Sequence, residues 1–455
     1  MYLTEKLCDI VALSIGSWGG RHVANKKMLL TLKTFTTITG SATFLQRHRR
    51  DERSFTRQRK LPFTTVLTLL LRKSVKSLQR VLNEWCRDAD EYISASALSQ
   101  ARQKFRYTAF IELLEECVVK PIYNDRGHKR FKGHRLLAID GSTLRLPTST
   151  ELIESFGTVR YMNGRQEVAC DNVEAKVSVL YDVLNEIPLA GSLHPGRTND
   201  IMASLQHLEL LEAGDILMAD RGFGSYAFFA EITARKADFI VRIKERTYAS
   251  YHQLFTDATR NDIIAEVERP ARFNDDAELP RSLRMRFIRI VLADGEVEVL
   301  ATSLLDQKRY PLKDFKKLYY KRWRIETFFQ AIKSRLAVDN FTGRTVEAIR
   351  QDFFSTLFVS GLETILSAEV NGELASKRTR HRQQVNKAIS FHAIKDSIIL
   401  LMFDPPPDFE DRVRRLFMIS PTLQRPERVK DKERLSLKSN AKSLHFQKFA
   451  RKAVF

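Results

Sequence analysis

The spacing of apolar and polar positions divides the chain into regions of different character. Helical periodicity dominates residues 1–130, where PFTTVLTLLLRKSVKSLQRVLNEW, ISASALSQARQKF and AFIELLEECVV predict three helices. From 131 to 344, short apolar runs that end in turn-forming residues predict strands. Helical periodicity returns over 345–423, and residues 424–455 are predicted to form a basic tail.

The middle region alternates strands and helices in the order of an α/β sheet. LLAIDGSTLRLP, AKVSVLYDVL and IPLAGSLHPG predict three adjacent strands, and a helix follows them. ILMAD then predicts a strand parallel to the first, running into a further helix. DFIVRIK, RMRFIRIVL and EVEVLATSL extend the strand pattern over about 238–305. The sequence therefore predicts an α/β core with a β-rich insertion, flanked by helical regions.

The predicted N-terminal helices allow two interpretations. The middle helix is rich in Ser, Gln, Arg and Lys, which is typical of the second helix of a helix-turn-helix that enters a DNA groove. The preceding segment FLQRHRRDERSFTRQRKLPF would then contact phosphates. The alternative is a plain helical bundle with a solvated face. The first forty residues carry no clear pattern.

Composition narrows the choice of partner. The 75 Lys and Arg outnumber the 55 Asp and Glu, a formal charge of +20 that indicates a polyanion, either nucleic acid or an anionic membrane surface. We find no apolar run long enough to cross a membrane and no signal peptide. Four scattered cysteines without zinc spacing indicate reduced thiols in a cytosol. No G-x-x-x-x-G-K-[ST] occurs, so chemistry on DNA would proceed without a nucleotide.

Acidic residues end two of the predicted strands. Asp140 closes LLAID and Asp220 closes ILMAD, positions where an unpaired carboxylate is costly. On neighbouring strands both would face the crevice at the strands' carboxyl ends. With Glu326 from a later helix, three acids and no neutralising residue on those strands predict Mg²⁺. Two ions about 3.5–4 Å apart can activate an attacking oxygen and stabilise a leaving one at phosphorus.

The stretch YYKRWRIETFFQAIK is predicted to form one amphipathic helix, with Tyr319, Arg322 and Lys333 on the same edge as Glu326. One interpretation is a solvated face with an i,i+4 ion pair between Arg322 and Glu326. The other is a phosphate clamp, in which Arg322 and Lys333 contact the cleaved phosphate. Tyr319 would then donate a hydrogen bond or stack on a displaced base. Trp323 is predicted to pack.

AIDGST, ADRGFGSY and Y-x2-R-x3-E-x6-K follow in order, with a β-rich stretch before the last. In this the chain resembles the DDE transposases of bacterial insertion sequences, in the insertion-sequence-four branch with a Y-R-E-K signature and a β-strand insertion. The resemblance covers roughly residues 135–344 and implies a ribonuclease-H-like core. It also implies a catalytic, metal-binding triad with two Mg²⁺ ions, for which Mn²⁺ can substitute: Asp140, Asp220 and Glu326. The implied DNA-binding residues are Tyr319, Arg322 and Lys333.

The activity that the resemblance implies is cleavage at the terminal inverted repeats of a mobile element, and joining of the 3′ ends to target DNA. The implied partners are double-stranded DNA and a second copy in a synaptic complex, without membrane or nucleotide, in the bacterial cytoplasm at the nucleoid. A DNA-binding regulator and a nuclease without strand transfer are the alternatives. Related enzymes often open ends through a hairpin, assisted by a tryptophan in the insertion. This chain has none there, and Tyr248 and Tyr251 are the candidate substitutes.

Overall fold

A computed structural model describes residues 26–424, apart from 58, 74–75, 87–91, 126, 163–167, 246, 249–250, 274–277 and 293–294. The predicted basic tail falls almost wholly outside the described residues. The helices before the sheet are α1 (Lys26–Thr39), α2 (Ala42–His48), α3 (Phe63–Leu71), α4 (Leu78–Trp85), α5 (Ala95–Arg102), α6 (Thr108–Leu114) and α7 (Lys120–Tyr123). A π-helical turn, Glu115–Val119, joins the last two.

The predicted strands form one continuous mixed sheet. Its strands are β1 (Leu136–Arg145), β2 (Thr158–Met162), β3 (Val168–Asp182), β4 (Ile187–Pro195), β5 (Ile216–Ala219), β6 (Asp238–Ile243), β7 (Asp262–Glu268), β8 (Ser282–Val291) and β9 (Val297–Thr302). The helices between strands are α8 (Thr150–Phe156), α9 (Asp200–Ser204), α10 (Tyr226–Ala234) and α11 (Gln253–Thr256). Short 3₁₀ turns follow α9, β5 and β7, at Leu205–Leu210, Arg221–Phe223 and Ala271–Phe273.

The order of the core strands identifies the fold. It runs β4-β3-β1-β5-β6, with β3 antiparallel to both β1 and β4, and with β5 and β6 parallel to β1. This is the ribonuclease-H-like order, so the predicted fold class is confirmed. The sequence grouped 238–243 with the insertion, whereas β6 pairs in parallel with β5 and completes the core. The insertion strands β9, β8 and β7 continue the sheet from the edge of β6.

After the insertion the chain returns to helices. These are α12 (Leu312–Tyr320), α13 (Trp323–Ser334), α14 (Val346–Ser376), α15 (Lys387–Ala393), α16 (Ile399–Leu401) and α17 (Phe409–Phe417). A π-helical turn, Ile394–Ile398, joins α15 to α16. The short strands β10 (Gln383–Gln384) and β11 (Thr422–Leu423) form a separate pair.

Each face of the sheet is covered by its own hydrophobic cluster, because successive side chains of a strand point to opposite faces. Leu136 and Ala138 pack in one cluster with α12, α13, α14 and the N-terminal helices, which we call the front face. Leu137 and Ile139 pack in the other with α10 and α11, the back face. The predicted N-terminal, catalytic and C-terminal regions share the front cluster, so the boundaries at 130 and 344 do not separate independent cores.

α14 is the central helix of the front face. By length and composition alone it could cross a membrane, which the sequence analysis missed, and 83% of its most apolar window is buried in this structure. Its buried Asp352 accepts a hydrogen bond from Arg102 of α5 at 2.9 Å. This ion pair fastens the N-terminal helices to the C-terminal ones.

The N-terminal helices depart from the predicted helix-turn-helix. Arg102, in the helix predicted to read a groove, is 4% exposed and bonded to α14. The outward face of α5 carries Ser96, Gln100 and Gln103 instead.

Candidate active site

The parallel pairing of β1 with β5 brings two of the predicted acids together. Ala138 pairs with Met218, and Asp140 and Asp220 each follow two residues further along their strands. They therefore lie level on adjacent strands, which are about 4.8 Å apart. Strand alternation directs Asp140 and Asp220 to the front face, where α13 packs.

Glu326 reaches the same place from the first turn of α13. Its Oε1 accepts a hydrogen bond from Arg322 Nη2 at 2.7 Å. The other terminal nitrogen of Arg322, Nη1, lies 4.0 Å from Asp140 Oδ2. One guanidinium thus connects the acid of α13 with the acid of β1.

Burial and two neighbouring acids act on the pKa of Asp140. Burial raises the pKa of Asp140 to about 7, and the negative charges of Asp220 and Glu326 act in the same direction. The Gly141 amide, which donates to Asp140 Oδ1 at 2.8 Å, and the Arg322 guanidinium oppose this rise. Near neutral pH, Asp140 is therefore balanced between its charged and neutral forms.

A positive charge accompanies the acids. Arg322 enters from the turn between α12 and α13, outside the strands for which the sequence predicts no neutralising residue. Among the described residues no group of three His, Cys, Asp or Glu side chains stands ready to hold a metal ion. The donor set itself, carboxylate oxygens on adjacent elements, fits the hard oxygen ligands that Mg²⁺ prefers.

Arg322 retains unused hydrogen-bonding capacity. It is 3% exposed, and its Nε and Nη1 have no hydrogen-bond partner among the described residues. Its guanidinium carbon lies 5.5 Å from the ring centre of Tyr319 and 5.4 Å from that of Trp323. Trp323 is 46% exposed, so the prediction that it packs inside is wrong.

Tyr319 lies beneath the site rather than at its surface. Its hydroxyl donates to the carbonyl oxygen of Ala219 at 3.2 Å, directly before Asp220. Burial raises the pKa of Tyr319 to about 12. In this structure the residue ties α12 to the end of β5, and a contact with DNA at this position stays a prediction.

Lys333 lies two turns after Glu326 on α13. Its Nζ donates to the carbonyl oxygen of Thr143 at 2.8 Å, three residues beyond Asp140 on β1. Burial lowers the pKa of Lys333. The predicted DNA-binding lysine therefore also joins α13 to the strand that carries the first acid.

Arg242 is a site residue that the sequence analysis missed. The β5–β6 pairing matches Ala219 with Val241, so Arg242 lies level with Asp220 on the front face. It forms an ion pair with Glu298 of β9, and its Nε is buried without a partner among the described residues. The available signal was an arginine inside the apolar run DFIVRIK.

Two further buried acids have structural partners. Asp215, directly before β5, accepts hydrogen bonds of 2.7 and 2.5 Å from Arg135. Asp182 accepts a hydrogen bond of 2.9 Å from the hydroxyl of Tyr123. These contacts account for both carboxylates without a metal ion.

Residues 131–362, just over half of the chain, match the family model described as "Transposase DDE domain". A Sinorhizobium fredii protein named "Putative transposase y4zB" is 26% identical over 242 residues, which are 52% of this chain and 62% of that protein. The chain thus spans less than two thirds of this relative. The solved piggyBac transposase synaptic complex with hairpin DNA covers 92% of this chain and 91% of its own, at 12% identity and a TM-score of 0.43. At that score, the fold assignment rests on the strand order.

Proposed function

The chain belongs to the family of transposases with a DDE domain, and from this we propose that it cuts and joins DNA at the ends of a mobile element. Its substrates are the terminal inverted repeats and a target duplex. Asp140, Asp220 and Glu326 are the proposed catalytic and metal-binding residues. Two ends must be processed together, so a homodimer assembles in a synaptic complex.

The observation that carries this proposal is the contact of Arg322 with two of the acids. A hydrogen bond of 2.7 Å to Glu326 and an approach of 4.0 Å to Asp140 link residues 186 positions apart in the chain. Asp220 lies level with Asp140 on the next strand, and its charge raises the Asp140 pKa. A purely structural ion pair would need one carboxylate, whereas three carboxylates converge beside β1 and β5.

The three acids are the residues that would hold Mg²⁺, or Mn²⁺ in its place. When bound, divalent ions activate the attacking oxygen and stabilise the leaving oxygen at phosphorus. Because ligands must be deprotonated, occupancy would keep Asp140 ionised. Glu326 would have to release the hydrogen bond from Arg322 to the oxygen with which it ligates a metal ion.

The two cations Arg322 and Lys333 then act on the phosphate. Arg322 offers two buried N–H groups without partners among the described residues, and a phosphate oxygen supplies the missing acceptors. Lys333 holds β1 and α13 together and neutralises charge near the cleaved phosphate. Hydrolysis and strand transfer differ only in whether water or a 3′-hydroxyl attacks. Direct transesterification needs no nucleotide.

A cleavage assay tests the proposal. The substrate is a duplex with the inverted repeat read from the DNA beside the gene, joined to flanking sequence, and a second duplex serves as target. The wild-type protein with Mg²⁺ is expected to nick at the repeat boundary and to yield a joined product. Asp140→Asn is expected to lower nicking at least about 10³-fold, since a metal ligand is lost, with duplex binding within twofold.

The alternatives give different products. A DNA-binding regulator binds the repeat without nicking, and a nuclease nicks without the joined product. Cleavage by Asp140→Asn at the wild-type rate would reject the metal site. Glu212→Gln, which changes a largely exposed acid on the other side of the sheet, is the matched control and is expected to retain full activity.

A further inference from the structure

Two turns of the N-terminal region are joined into one rigid surface. The first follows α2 and the second links α5 to α6; we call residues 46–53 and 103–106 the basic turn pair. Arg50 N donates to Lys104 O and Arg106 N donates to His48 O, each at 2.8 Å. Phe105 between them is fully buried. The backbone here is therefore held in place while the side chains project outward.

Cations outnumber acids on the basic turn pair. Arg50, Arg53 and Lys104 form no ion pair among the described residues, although each is at least partly exposed. Asp51 and Glu52 lie on the same surface, and Asp51 accepts hydrogen bonds of 3.0 Å from the Arg53 amide and the Ser54 hydroxyl. Like charges held close together without partners favour a polyanion.

The shape of the surface suits a phosphate backbone. An open hollow of about 350 Å³ lies between the turns. Arg106 borders it, with Nη2 donating to the carbonyl oxygen of Arg50 at 2.9 Å, which fixes the guanidinium. The exposed Gln46 lines the hollow, and Gln103 in the second turn is also exposed. Amides and cations together are typical of contacts to phosphates and base edges.

The same composition disfavours a membrane. A helix or loop that binds a bilayer surface places apolar side chains among its cations. The exposed positions of the basic turn pair, by contrast, are Gln46, Arg47, Arg50, Asp51, Glu52, Arg53, Gln103 and Arg106. Duplex DNA is therefore the favoured polyanion.

We propose that the basic turn pair binds phosphates of duplex DNA, as a contact surface separate from the carboxylate site. The inference rests on the proposed function, because the duplex that binds here is the DNA that the acids would cleave. It also replaces the predicted groove-reading helix. The turns supply the charge, and α5 contributes only its outward amides, Gln100 and Gln103.

Salt dependence of binding is the direct test. The triple variant Arg50→Gln, Arg53→Gln, Lys104→Gln removes three charges from side chains that no ion pair holds. The matched control, Arg281→Gln, Arg284→Gln, Lys313→Gln, removes the same charge from exposed positions elsewhere. Dissociation constants of full-length proteins for the repeat duplex and for an unrelated duplex are measured in EDTA at several salt concentrations.

Each phosphate contact contributes about 0.9 to the slope of log affinity against log salt. The basic turn variant is expected to lose about two to three from this slope on both duplexes, and to bind at least about tenfold more weakly at low salt. The control should keep the wild-type slope.

An unchanged slope would overturn the proposal, as would an equal loss in the control, which would indicate a diffuse charge effect. Vesicles of phosphatidylcholine with phosphatidylserine are the third probe. If the variant lost vesicle binding and kept its affinity for DNA, the surface would bind membrane instead. Failure of the proposed function has a different signature: the wild-type protein would not nick with Mg²⁺, whatever the slopes.

Discussion

At the scale of single residues, Asp140 shows that forming the site costs the folded protein stability. A carboxyl group on an apolar strand is destabilised in its charged form, and two neighbouring acids increase that cost. LLAID alone is a weak signal, because many strand-end aspartates lie at turns, and Asp140 was assigned from its order with ADRGFGSY and Y-x2-R-x3-E-x6-K. The contact of Asp140 with Arg322 could not be predicted, because it depends on tertiary packing.

The raised pKa makes stability depend on pH. Between the ordinary value of 3.8 and about 7, the folded protein holds a proton on Asp140 that the unfolded chain has released. Metal-free stability therefore falls as pH rises through this window, by at most about 4 kcal/mol. Asp140→Asn should flatten the profile and be more stable than wild type at pH 8. Urea unfolding in EDTA at pH 5 and pH 8 measures both; parallel profiles would contradict the assigned pKa.

A Cβ at Gly141 would meet the carboxylate end of another side chain. It would lie 2.0 Å from Asp200 Oδ1, which also accepts a hydrogen bond from Lys176 at 3.0 Å. Asp200 would have to turn away and lose this bond, so Gly141→Ala is expected to destabilise the protein by about 1 kcal/mol and to slow cleavage, because the change adjoins Asp140.

The control for this prediction is a double-mutant cycle. In an Asp200→Ala background the clashing oxygen is gone, so Gly141→Ala should cost much less. Unfolding free energies of the four proteins decide the matter. An equal cost in both backgrounds would place the strain elsewhere.

At the scale of elements, the site depends on a break between two helices, which the helical periodicity of the sequence did not reveal. One helix was predicted from Tyr319 to Lys333, but α12 ends at Tyr320 and α13 begins at Trp323. Hydrogen bonds to the third preceding residue, such as Arg322 N to Tyr319 O at 2.9 Å, tighten the chain between them. Lys321 and Arg322 keep helical backbone angles. Neither residue is a proline or a glycine, so the residue types gave no sign of the break between the helices.

The variant Tyr319→Phe distinguishes a positioning role of Tyr319 from a direct contact of this residue with DNA. The variant loses only the hydrogen bond to the Ala219 carbonyl, a loss expected to cost about 0.5–1.5 kcal/mol. If the residue positions the end of β5, the cleavage rate should fall while the dissociation constant for the repeat duplex stays within twofold. A weaker affinity at unchanged unfolding free energy would instead assign Tyr319 to DNA binding.

At the scale of the whole molecule, regions distant in sequence form one body. The three adjacent strands and the parallel strand after them could be predicted because the apolar runs and their connections allow few alternatives, whereas the ribonuclease-H-like order was implied by the resemblance alone. The joining of both helical regions could not, since it depends on contacts such as Arg102 with Asp352. Strand-like runs also say little about which strands pair in parallel, which is why β6 was grouped with the insertion.

The variant Arg102→Met tests whether the two helical regions unfold together as one unit. It leaves the carboxylate of Asp352, which is 0% exposed, without its cation and is expected to destabilise the protein by about 3–5 kcal/mol. Adding Asp352→Asn removes the buried charge and should restore part of the loss. Chemical unfolding followed by fluorescence and by circular dichroism should show one shared transition in the wild type. Separate transitions would indicate independent domains.

The central position of α14 has a consequence for synthesis. A ribosome releases β9, the last strand of the main sheet, before α14, so the front face of β4 stays without the helix that covers it. The front hydrophobic cluster cannot be completed until α14 emerges. Under the proposed function, incomplete chains should therefore be unable to nick the chromosome, and only a nearly completed chain would cut DNA.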